Sequence, residues 1–135
     1  RSTLFPYTTL FRSRDIQWLG RREDVKTLLQ QCHIFAFPSY YMEGLPKSLI
    51  EACAIGRPIV TTDNTGCRDV VTDGVNGYLV PVKDSQALAE KIKLLIDHPD
   101  LRHQMGLASR KVAEQHFSLD TVIQDHLTIY QELIS

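Results

Sequence analysis

The sequence lacks the features that mark several protein classes. Its 135 residues include only three cysteines and no Cys-x-x-Cys pair, which favours free thiols in a reducing compartment over a disulfide framework or a zinc site. Neither sign of charge dominates, since 15 Lys plus Arg stand against 16 Asp plus Glu, and this argues against a basic nucleic-acid-binding surface. No apolar run approaches the roughly 20 residues that a bilayer-spanning helix needs. We therefore expect a soluble cytoplasmic domain with no nucleic-acid partner.

The first segment, residues 1–13, differs from the rest of the chain. It reads RSTLFPYTTLFRS, with Thr doublets and clustered aromatics but neither a helical nor a strand period, and without the layout of a signal peptide. It resembles translated sequencing-adapter read-through, so we exclude it from the functional interpretation. The alternative is an ordinary edge strand at residues 7–11. On the first interpretation the biological chain starts near Arg14 and lacks its upstream part.

From Arg14 onward, short apolar runs alternate with helical patterns. Strands are predicted at residues 16–19, 33–37, 58–62 and 77–80. Helices are predicted to begin after an Asp24 cap and at Pro46, and to include residues 67–71, 88–96, 99–115 and 119–133. One apolar helix face is predicted to consist of Leu88, Ile92, Leu95 and Ile96. This alternation is typical of a parallel α/β sheet, which is the fold class that we expect.

The residues best suited to bind a ligand lie between the second predicted strand and the helix that follows it. A helix that begins after a parallel strand presents unpaired backbone N–H groups, which are a usual place for an anionic group. Gly44 permits close approach to the backbone there, because it has no side chain. The N–H groups predicted to face a phosphate or a sugar hydroxyl are those of Gly44, Leu45, Lys47 and Ser48.

Two glutamates accompany this turn. Glu43 approaches from the loop, and Glu51, one turn into the helix, points back toward the same place because helix side chains lean toward the N-terminus. Ionised carboxylates can accept hydrogen bonds from vicinal sugar hydroxyls. The alternative is that Glu51 only forms an i,i+4 surface pair with Lys47. The spacing of the two glutamates alone does not decide between a sugar site and a solvated helix face.

Four segments, taken together, resemble a known family. They read LGRREDV at 19–25, FPSYYMEGLPKSLIEACAIGRPIVTTD at 37–63, GCRDVV at 66–71 and DGVNGYLVP at 73–81. Over about three quarters of its length the chain is similar to the C-terminal half of a family 4 glycosyltransferase, a retaining enzyme of the two-domain GT-B fold. The resemblance implies a fragment of an enzyme that moves a sugar from a nucleotide-sugar donor, of the UDP type, to a glycan or lipid-linked acceptor.

The resemblance also implies a role for each residue of the predicted site. Glu43, the first acid of the E-x7-E motif, would be catalytic and lie beside the donor sugar, and Glu51 would hold the ribose hydroxyls. The residues that would contact the sugar or diphosphate through their backbone are Gly44, Leu45, Lys47 and Ser48. The loop that would border the nucleobase begins with Gly20 and Arg21.

No metal ion or other cofactor is implied. The sequence has no Asp-x-Asp pair, the usual means of holding a metal ion against a nucleoside diphosphate, so transfer is expected to be metal-independent. The basic loop that neutralises the diphosphate in this family has no counterpart in the chain, and the acceptor would bind through an N-terminal domain that is also missing. We therefore expect this chain alone to be inactive, and the whole enzyme to associate peripherally with the inner face of a membrane. A non-catalytic α/β nucleotide-binding or interaction module is the alternative.

The expected domain organisation follows from the same resemblance. Residues 14–117 would form a partial Rossmann-like domain, truncated at its N-terminal side, and residues 118–135 a C-terminal helix. In the strand order of such sheets, two strands would be missing between residues 16–19 and 33–37. The strand at 16–19 is therefore expected to be unpaired, to pair beside the strand at 33–37, or to be covered by residues 1–13.

Overall fold

A three-stranded parallel sheet lies at the centre of the computed structural model, which describes residues 16–42 and 44–134. The strands are β1 (Phe35–Phe37), β2 (Ile59–Thr62) and β3 (Gly77–Val80), in the order β1-β2-β3. The helices described are α1 (Val25–Gln31), α2 (Lys47–Ala54), α3 (Thr65–Arg68), α4 (Ser85–Asp97), α5 (Pro99–His116) and α6 (Leu119–Ile134). The three later strands predicted from the sequence are confirmed, and so are the parallel α/β class and the helical tail.

The core lies on both faces of β2. Ile59 packs on one face in a cluster with Leu49 of α2, and Val60 packs on the other face with Leu95 and Met105 of α4 and α5. All four residues of β2 are buried, as expected for a central strand with helices on both sides. This arrangement leaves the two ends of the strands, rather than the faces of the sheet, open for ligands.

Helices α2 and α5 approach each other at two glycines. Gly56 ends the α2 segment with φ +75°, and a Cβ on Gly106 would lie 2.5 Å from the Gly56 carbonyl oxygen. No side chain fits at that distance, so glycine at position 106 is required for the contact.

A buried asparagine holds the turn before β3. Asn76 Oδ1 accepts the Thr72 N–H at 2.8 Å, its Nδ2 donates to the Val70 carbonyl at 3.0 Å, and its own carbonyl accepts the Ser109 hydroxyl at 3.0 Å. Asn76 has no exposed surface, so these bonds are made out of reach of water. The turn itself passes through Gly74 at φ +76°.

Arginines neutralise helix C-termini at the amino edge of the sheet. Arg57 donates to the Leu29 carbonyl of α1 at 2.9 Å, and Arg102 donates to the Leu95 carbonyl of α4 at 3.0 Å. Arg110 donates to the Ala54 carbonyl of α2 at 2.5 Å. A helix C-terminus carries partial negative charge, so these guanidinium groups have a structural use. The same three arginines line a cleft of about 540 Å³, and their bonds to the helix ends explain why this cleft is basic.

The first predicted strand is wrong. Residues 16–20 are exposed and belong to no strand, and the Trp18 side chain is 78% exposed. An apolar run becomes a strand only when a neighbouring strand pairs with it and a layer of side chains covers it, and the described residues supply neither here. Coverage by residues 1–13, one of the expected arrangements, lies outside the described part of the chain.

Smaller differences concern helix ends. Asp24 is the N-cap residue of α1, but its carboxylate accepts no hydrogen bond from the helix N–H groups. It accepts hydrogen bonds from the Arg22 guanidinium instead. Pro46 is the N-cap of α2 rather than its first residue, and the short helix at 67–71 begins two residues earlier, at Thr65. Ile96 is 58% exposed and leaves the predicted face, whereas its neighbour Leu95 is fully buried.

The tail helix α6 contacts little of the domain. It buries none of its residues, although it carries an apolar stripe that includes Ile123, Tyr130 and Leu133. Among the helices described, none combines the length and the apolar composition needed to cross a bilayer.

Candidate functional site

The loop after β1 is fixed by the last residue of β2 and by the loop that follows β2. The Ser39 carbonyl accepts the Thr62 hydroxyl and also the Asn64 Nδ2 amide, the latter at 3.2 Å. The Thr61 hydroxyl donates to the Phe37 carbonyl at 2.7 Å. This side-chain-to-backbone bond joins the carboxyl end of β2 to that of β1. Asn64 also caps α3, because its Oδ1 accepts the Cys67 N–H. The start of the predicted site is therefore rigidly placed at the carboxyl edge of the sheet, where open α/β sheets bind ligands.

The N-terminus of α2 opens onto solvent at this edge. The first main-chain bonds of the helix run from Leu49 and Ile50 to the Pro46 carbonyl, at 3.1 and 3.4 Å. Among the described residues no hydrogen bond uses the N–H of Lys47 or Ser48. Unpaired donors at a helix N-terminus, together with the helix dipole, favour an anionic ligand.

Gly44 and Leu45 precede this turn and are both exposed. A Cβ added to Gly44 would meet no atom within 4 Å, and the residue has no positive φ. Neither packing nor backbone strain therefore requires glycine at position 44. A ligand that approaches the backbone closely is a remaining reason for it.

Glu51 lies one turn into α2, on the side of the helix that carries Lys47. Its Oε1 is 3.7 Å from the Lys47 ammonium, and the two side chains are 38% and 89% exposed. An exposed i,i+4 pair of this kind contributes only a few tenths of a kcal/mol. The structure thus shows the surface pair of the alternative interpretation, and a role for this carboxylate at the open helix end stays a prediction.

Two predicted site residues stand apart from this group in the structure. Gly20, at φ +65°, and Arg21 lie in the exposed segment before α1, and among the described residues no hydrogen bond or ion pair joins them to residues 44–51. Glu43 lies outside the described residues.

Two arginine–aspartate ion pairs lie on the exposed surface. Arg22 binds the Asp24 carboxylate at 2.6 and 2.7 Å, and Arg68 binds Asp63 at 2.5 Å. Hydrogen bonding to the guanidinium lowers the pKa of Asp24 and of Asp63 below the ordinary value of an aspartate. Since Arg68 is already paired with Asp63, the structure gives a use for it other than binding phosphate.

Sequence reasoning missed an aromatic stack in the same loop. The rings of Tyr40 and Tyr41 stack with centroids 4.3 Å apart, and the Tyr40 hydroxyl donates to the Tyr41 hydroxyl at 2.8 Å. The ammonium of Lys83, which follows β3, lies 5.1 Å from the centroid of the Tyr40 ring. The Tyr-Tyr pair is visible in the sequence, but the contact with Lys83 depends on the order of the strands.

The described residues contain no group of three or more His, Cys, Asp or Glu side chains arranged to hold a metal ion. The five histidines are all exposed. Whether the complete site is metal-independent stays a prediction.

The fold and the site elements define a class. The chain has the fold of the C-terminal Rossmann-like domain of GT-B glycosyltransferases: it superposes on HepE from Anabaena, solved in complex with UDP, with a TM-score of 0.86 at 27% identity. That match covers 93% of this chain and 35% of HepE. A second structure of HepE, in complex with UDP-glucose, gives a TM-score of 0.83.

The chain belongs to the family of glycosyl transferases group 1, whose model matches residues 9–112. It is 35% identical, over 119 residues, to the N,N'-diacetylbacillosaminyl-diphospho-undecaprenol alpha-1,3-N-acetylgalactosaminyltransferase of Campylobacter jejuni, covering 88% of this chain and 31% of that enzyme. It is 30% identical to the capsular polysaccharide biosynthesis glycosyltransferase CapM of Staphylococcus aureus, covering 95% of this chain and 33% of CapM. The chain therefore spans about a third of the length of the relatives that it matches.

Proposed function

We propose that the protein containing this chain is a retaining family 4 glycosyltransferase that transfers a sugar from a UDP-type donor to a glycan or a lipid-linked acceptor. The observation that carries the proposal is the open N-terminus of α2, with unpaired N–H groups at Lys47 and Ser48. The relatives support it, since one is named for an acceptor joined to diphospho-undecaprenol and HepE is described with UDP and with UDP-glucose.

Each part of the donor would meet one element of the site. The diphosphate is placed at the first turn of α2, where the N–H groups of Gly44, Leu45, Lys47 and Ser48 supply donors and the helix dipole supplies positive potential. Glu51 accepts hydrogen bonds from the two ribose hydroxyls, which suits a carboxylate with two acceptor oxygens.

The transferred sugar would lie next to the diphosphate. Glu43 is assigned to that sugar, and the loop at Gly20 and Arg21 is assigned to the nucleobase. The site as assigned uses backbone donors in place of a metal ion, so we propose metal-independent transfer. We further propose that the whole enzyme works in the cytoplasm at the inner face of a membrane, with its acceptor bound by residues outside this chain.

Glu51 gives the direct test. Replacing it with glutamine keeps the shape of the side chain and removes the charge that would accept from the ribose hydroxyls. Hydrogen bonds to charged groups contribute about 1.5–3 kcal/mol, so Glu51→Gln should weaken UDP binding about 10- to 100-fold. The measurement is a titration of the 135-residue chain with UDP, followed by two-dimensional amide NMR.

Glu114→Gln is the matched control, because Glu114 also forms an exposed i,i+4 pair on a helix, with Arg110 at 2.7 Å. It should leave UDP affinity unchanged. The amides expected to shift with UDP are those of residues 44–51 and 20–22. Wild-type affinity in Glu51→Gln would remove Glu51 from the ribose role, and an amide spectrum that does not respond to UDP would contradict a donor site in this chain.

A further inference from the structure

The cleft that Arg57, Arg102 and Arg110 line is separate from the proposed donor site. It lies at the amino edge of the sheet, between the segment that joins α2 to β2 and one face of α5, and its volume is about 540 Å³. The proposed donor site lies at the carboxyl edge. The two edges are about 10–13 Å apart, because the strands have three or four residues at about 3.3 Å each. No step of the proposed function uses this cleft.

Positive charge is concentrated in the cleft. Three arginines and two histidines line it but no aspartate or glutamate does, although the chain as a whole has a net charge of -1. Arg57 and Arg102 are half-buried, and no carboxylate among the described residues forms an ion pair with either. Arg110 does pair with Glu114, at 2.7 Å. A concave surface lined by one sign of charge attracts ligands of the other sign, which here are anions.

The structural bonds of these arginines use only part of their donors. A guanidinium group has five N–H groups. Arg57 donates to the carbonyls at the end of α1 through Nε and Nη2, and Arg102 donates to those at the end of α4 through Nη1 alone. Arg110 uses Nε and Nη1. Within the described part of the chain no hydrogen bond involves Nη1 of Arg57, Nε and Nη2 of Arg102, or Nη2 of Arg110.

The same bonds hold the guanidinium groups in place before any ligand arrives. The anchoring distances are 2.9 and 2.8 Å for Arg57, 3.0 Å for Arg102 and 2.5 Å for Arg110. A side chain that is already ordered loses little further conformational entropy on binding. The planar fork of a guanidinium group matches two oxygens of a phosphate. The cleft therefore combines ordered, forked donors with an excess of positive charge.

We propose that this cleft binds a phosphate ester or a diphosphate through the unused N–H groups of Arg57, Arg102 and Arg110. The two histidines of the cleft add ring nitrogens, and Leu107 gives one wall an apolar side chain for the remainder of the ligand. The phosphate belongs to a soluble phosphorylated compound or to the headgroup of an anionic lipid, because both present the same oxygens. This inference goes beyond the proposed function and does not depend on it.

A titration of the 135-residue chain with inorganic pyrophosphate, followed by two-dimensional amide NMR, tests the site. The amides of residues 55–58 and 102–107 should shift and saturate, whatever happens at residues 44–51. Sodium chloride at matched ionic strength is the reference, because ionic strength alone screens surface charges. It should cause no saturable shift in the cleft.

Leu107→Glu is the decisive variant, because it adds a carboxylate to the cleft and removes none of the arginine bonds. Leu107 is 55% exposed and lies one helical turn from both His103 and Arg110, so the new carboxylate can pair with them. The dissociation constant for pyrophosphate should rise at least about 10-fold, since like charges are brought together. Leu127→Glu is the matched control: it makes the same change at a residue of α6 that is 47% exposed, and should leave binding unchanged.

A second pair of variants tests the arginines directly. Arg102→Gln removes a charged donor of the cleft and should also raise the dissociation constant about 10-fold or more. Arg68→Gln removes an arginine that is paired with Asp63 after β2, at the other edge of the sheet, and should not affect pyrophosphate binding at the cleft.

Cosedimentation with vesicles distinguishes the two sources of phosphate. Vesicles of phosphatidylcholine with phosphatidylglycerol are compared with vesicles of phosphatidylcholine alone. A lipid headgroup is the ligand if the wild-type chain and Leu127→Glu bind only the anionic vesicles and Leu107→Glu binds neither kind. A soluble phosphorylated compound is the ligand if pyrophosphate saturates the cleft and Leu107→Glu leaves any vesicle binding unchanged.

Two results would overturn the proposal. One is the absence of a saturable pyrophosphate shift at residues 55–58 and 102–107, including a response confined to residues 44–51. The other is a Leu107→Glu chain that binds pyrophosphate in the cleft as tightly as the wild-type chain. Failure of the proposed function shows separately, as amides at residues 44–51 that do not respond to UDP.

Discussion

At the scale of single residues, the sequence identified the apolar contacts better than the polar ones. Leu88, Ile92 and Leu95 were expected on one apolar helix face, and Leu95 is fully buried while the other two pack against the core. The bonds of Thr62 and Asn64 to Ser39 were not expected, because they join residues more than 20 positions apart and depend on the register of β1 against β2. Periodicity indicates which side chains are buried, but it does not give the partner of a polar side chain.

Asn76→Ala should destabilise the fold. The substitution leaves the Thr72 N–H and the Val70 carbonyl without their buried partner, and each unsatisfied group costs about 1–3 kcal/mol. We expect a fall of at least about 2 kcal/mol in the free energy of unfolding, measured by urea denaturation. Gln104→Ala, an exposed amide on α5, is the control and should change it by less than about 0.5 kcal/mol. Equal stability of both variants would mean that the turn before β3 does not depend on Asn76.

Cys53 should make stability fall at alkaline pH. Burial raises the pKa of its thiol from 9.0 to about 11. The unfolded chain therefore loses this proton at a lower pH than the folded chain, and stability that is fully present below about pH 9 is lost as the pH rises to about 11. The expected loss is about 2–3 kcal/mol.

The measurement is a comparison of urea unfolding for the wild-type chain and Cys53→Ala from neutral pH to about pH 11. Other groups titrate in that range, so the difference between the two curves is the relevant quantity. The alanine variant should be less stable at neutral pH, and the gap should narrow as the pH rises. Parallel curves would show that the thiol keeps an ordinary pKa.

At the scale of elements, strands were predicted correctly where turn or loop residues end the apolar run and a neighbouring strand pairs with it. The runs at 33–37, 58–62 and 77–80 end at Pro or Gly or in polar loops, and each pairs with a neighbouring strand. The run at 16–19 has a similar composition but no strand beside it in the described residues, so it is exposed. The local sequence pattern therefore located the three strands of the sheet. It could not show that residues 16–19 form no strand, because that depends on whether another strand lies beside them.

Gly106→Ala should separate α2 from α5. Its Cβ would lie 2.5 Å from the Gly56 carbonyl oxygen, which belongs to backbone and cannot rotate away. Overpacking of this kind costs typically 1–3 kcal/mol, and the better helix propensity of alanine returns up to about 1 kcal/mol. We expect a net loss of about 1–2 kcal/mol in thermal or urea unfolding.

Gly44→Ala is the matched control for that variant. A Cβ there meets nothing within 4 Å, so its stability should equal that of the wild-type chain. The same control reports on the site, since a methyl group at position 44 should obstruct a ligand that approaches the backbone. A Gly106→Ala chain as stable as Gly44→Ala would contradict the proposed close packing.

At the scale of the whole molecule, the fold class and membership of a glycosyltransferase family were predicted from motifs and are confirmed, whereas family 4 and the donor-site roles stay predictions. The family match begins at residue 9 and so includes residues 9–13 of the segment that was interpreted as read-through, an interpretation that the described residues do not test. The catalytic role predicted for Glu43 is likewise untested, because the structure does not describe this residue. The motif named these residues, but a role in catalysis needs the relative positions of donor, acceptor and carboxylate.

The exposed stripe of α6 should make the chain self-associate. The helix buries no residue, and Ile123, Tyr130 and Leu133 are 45%, 61% and 76% exposed. Burial of such side chains against a second copy is favourable by about 25 cal/mol per Å². Sedimentation should therefore show a concentration-dependent rise in mass that Leu133→Lys abolishes and Gln124→Lys, on the same helix, does not. A monomer at all concentrations would show that the stripe is too small to associate.

The bonds from Thr62 and Asn64 to Ser39 have a consequence for protein engineering. A loop exchange between related glycosyltransferases would move residues 38–46 as one cassette, as if the helix entrance were self-contained. The hydrogen bonds that hold Ser39 come from residues 62 and 64, which lie outside such a cassette. If the recipient protein has other residues at those positions, the transferred loop loses both bonds, whether or not a ligand is bound. The smallest transplantable unit is the pair of loops, and a chimaera that carries both should accept a new specificity where a chimaera that carries one fails.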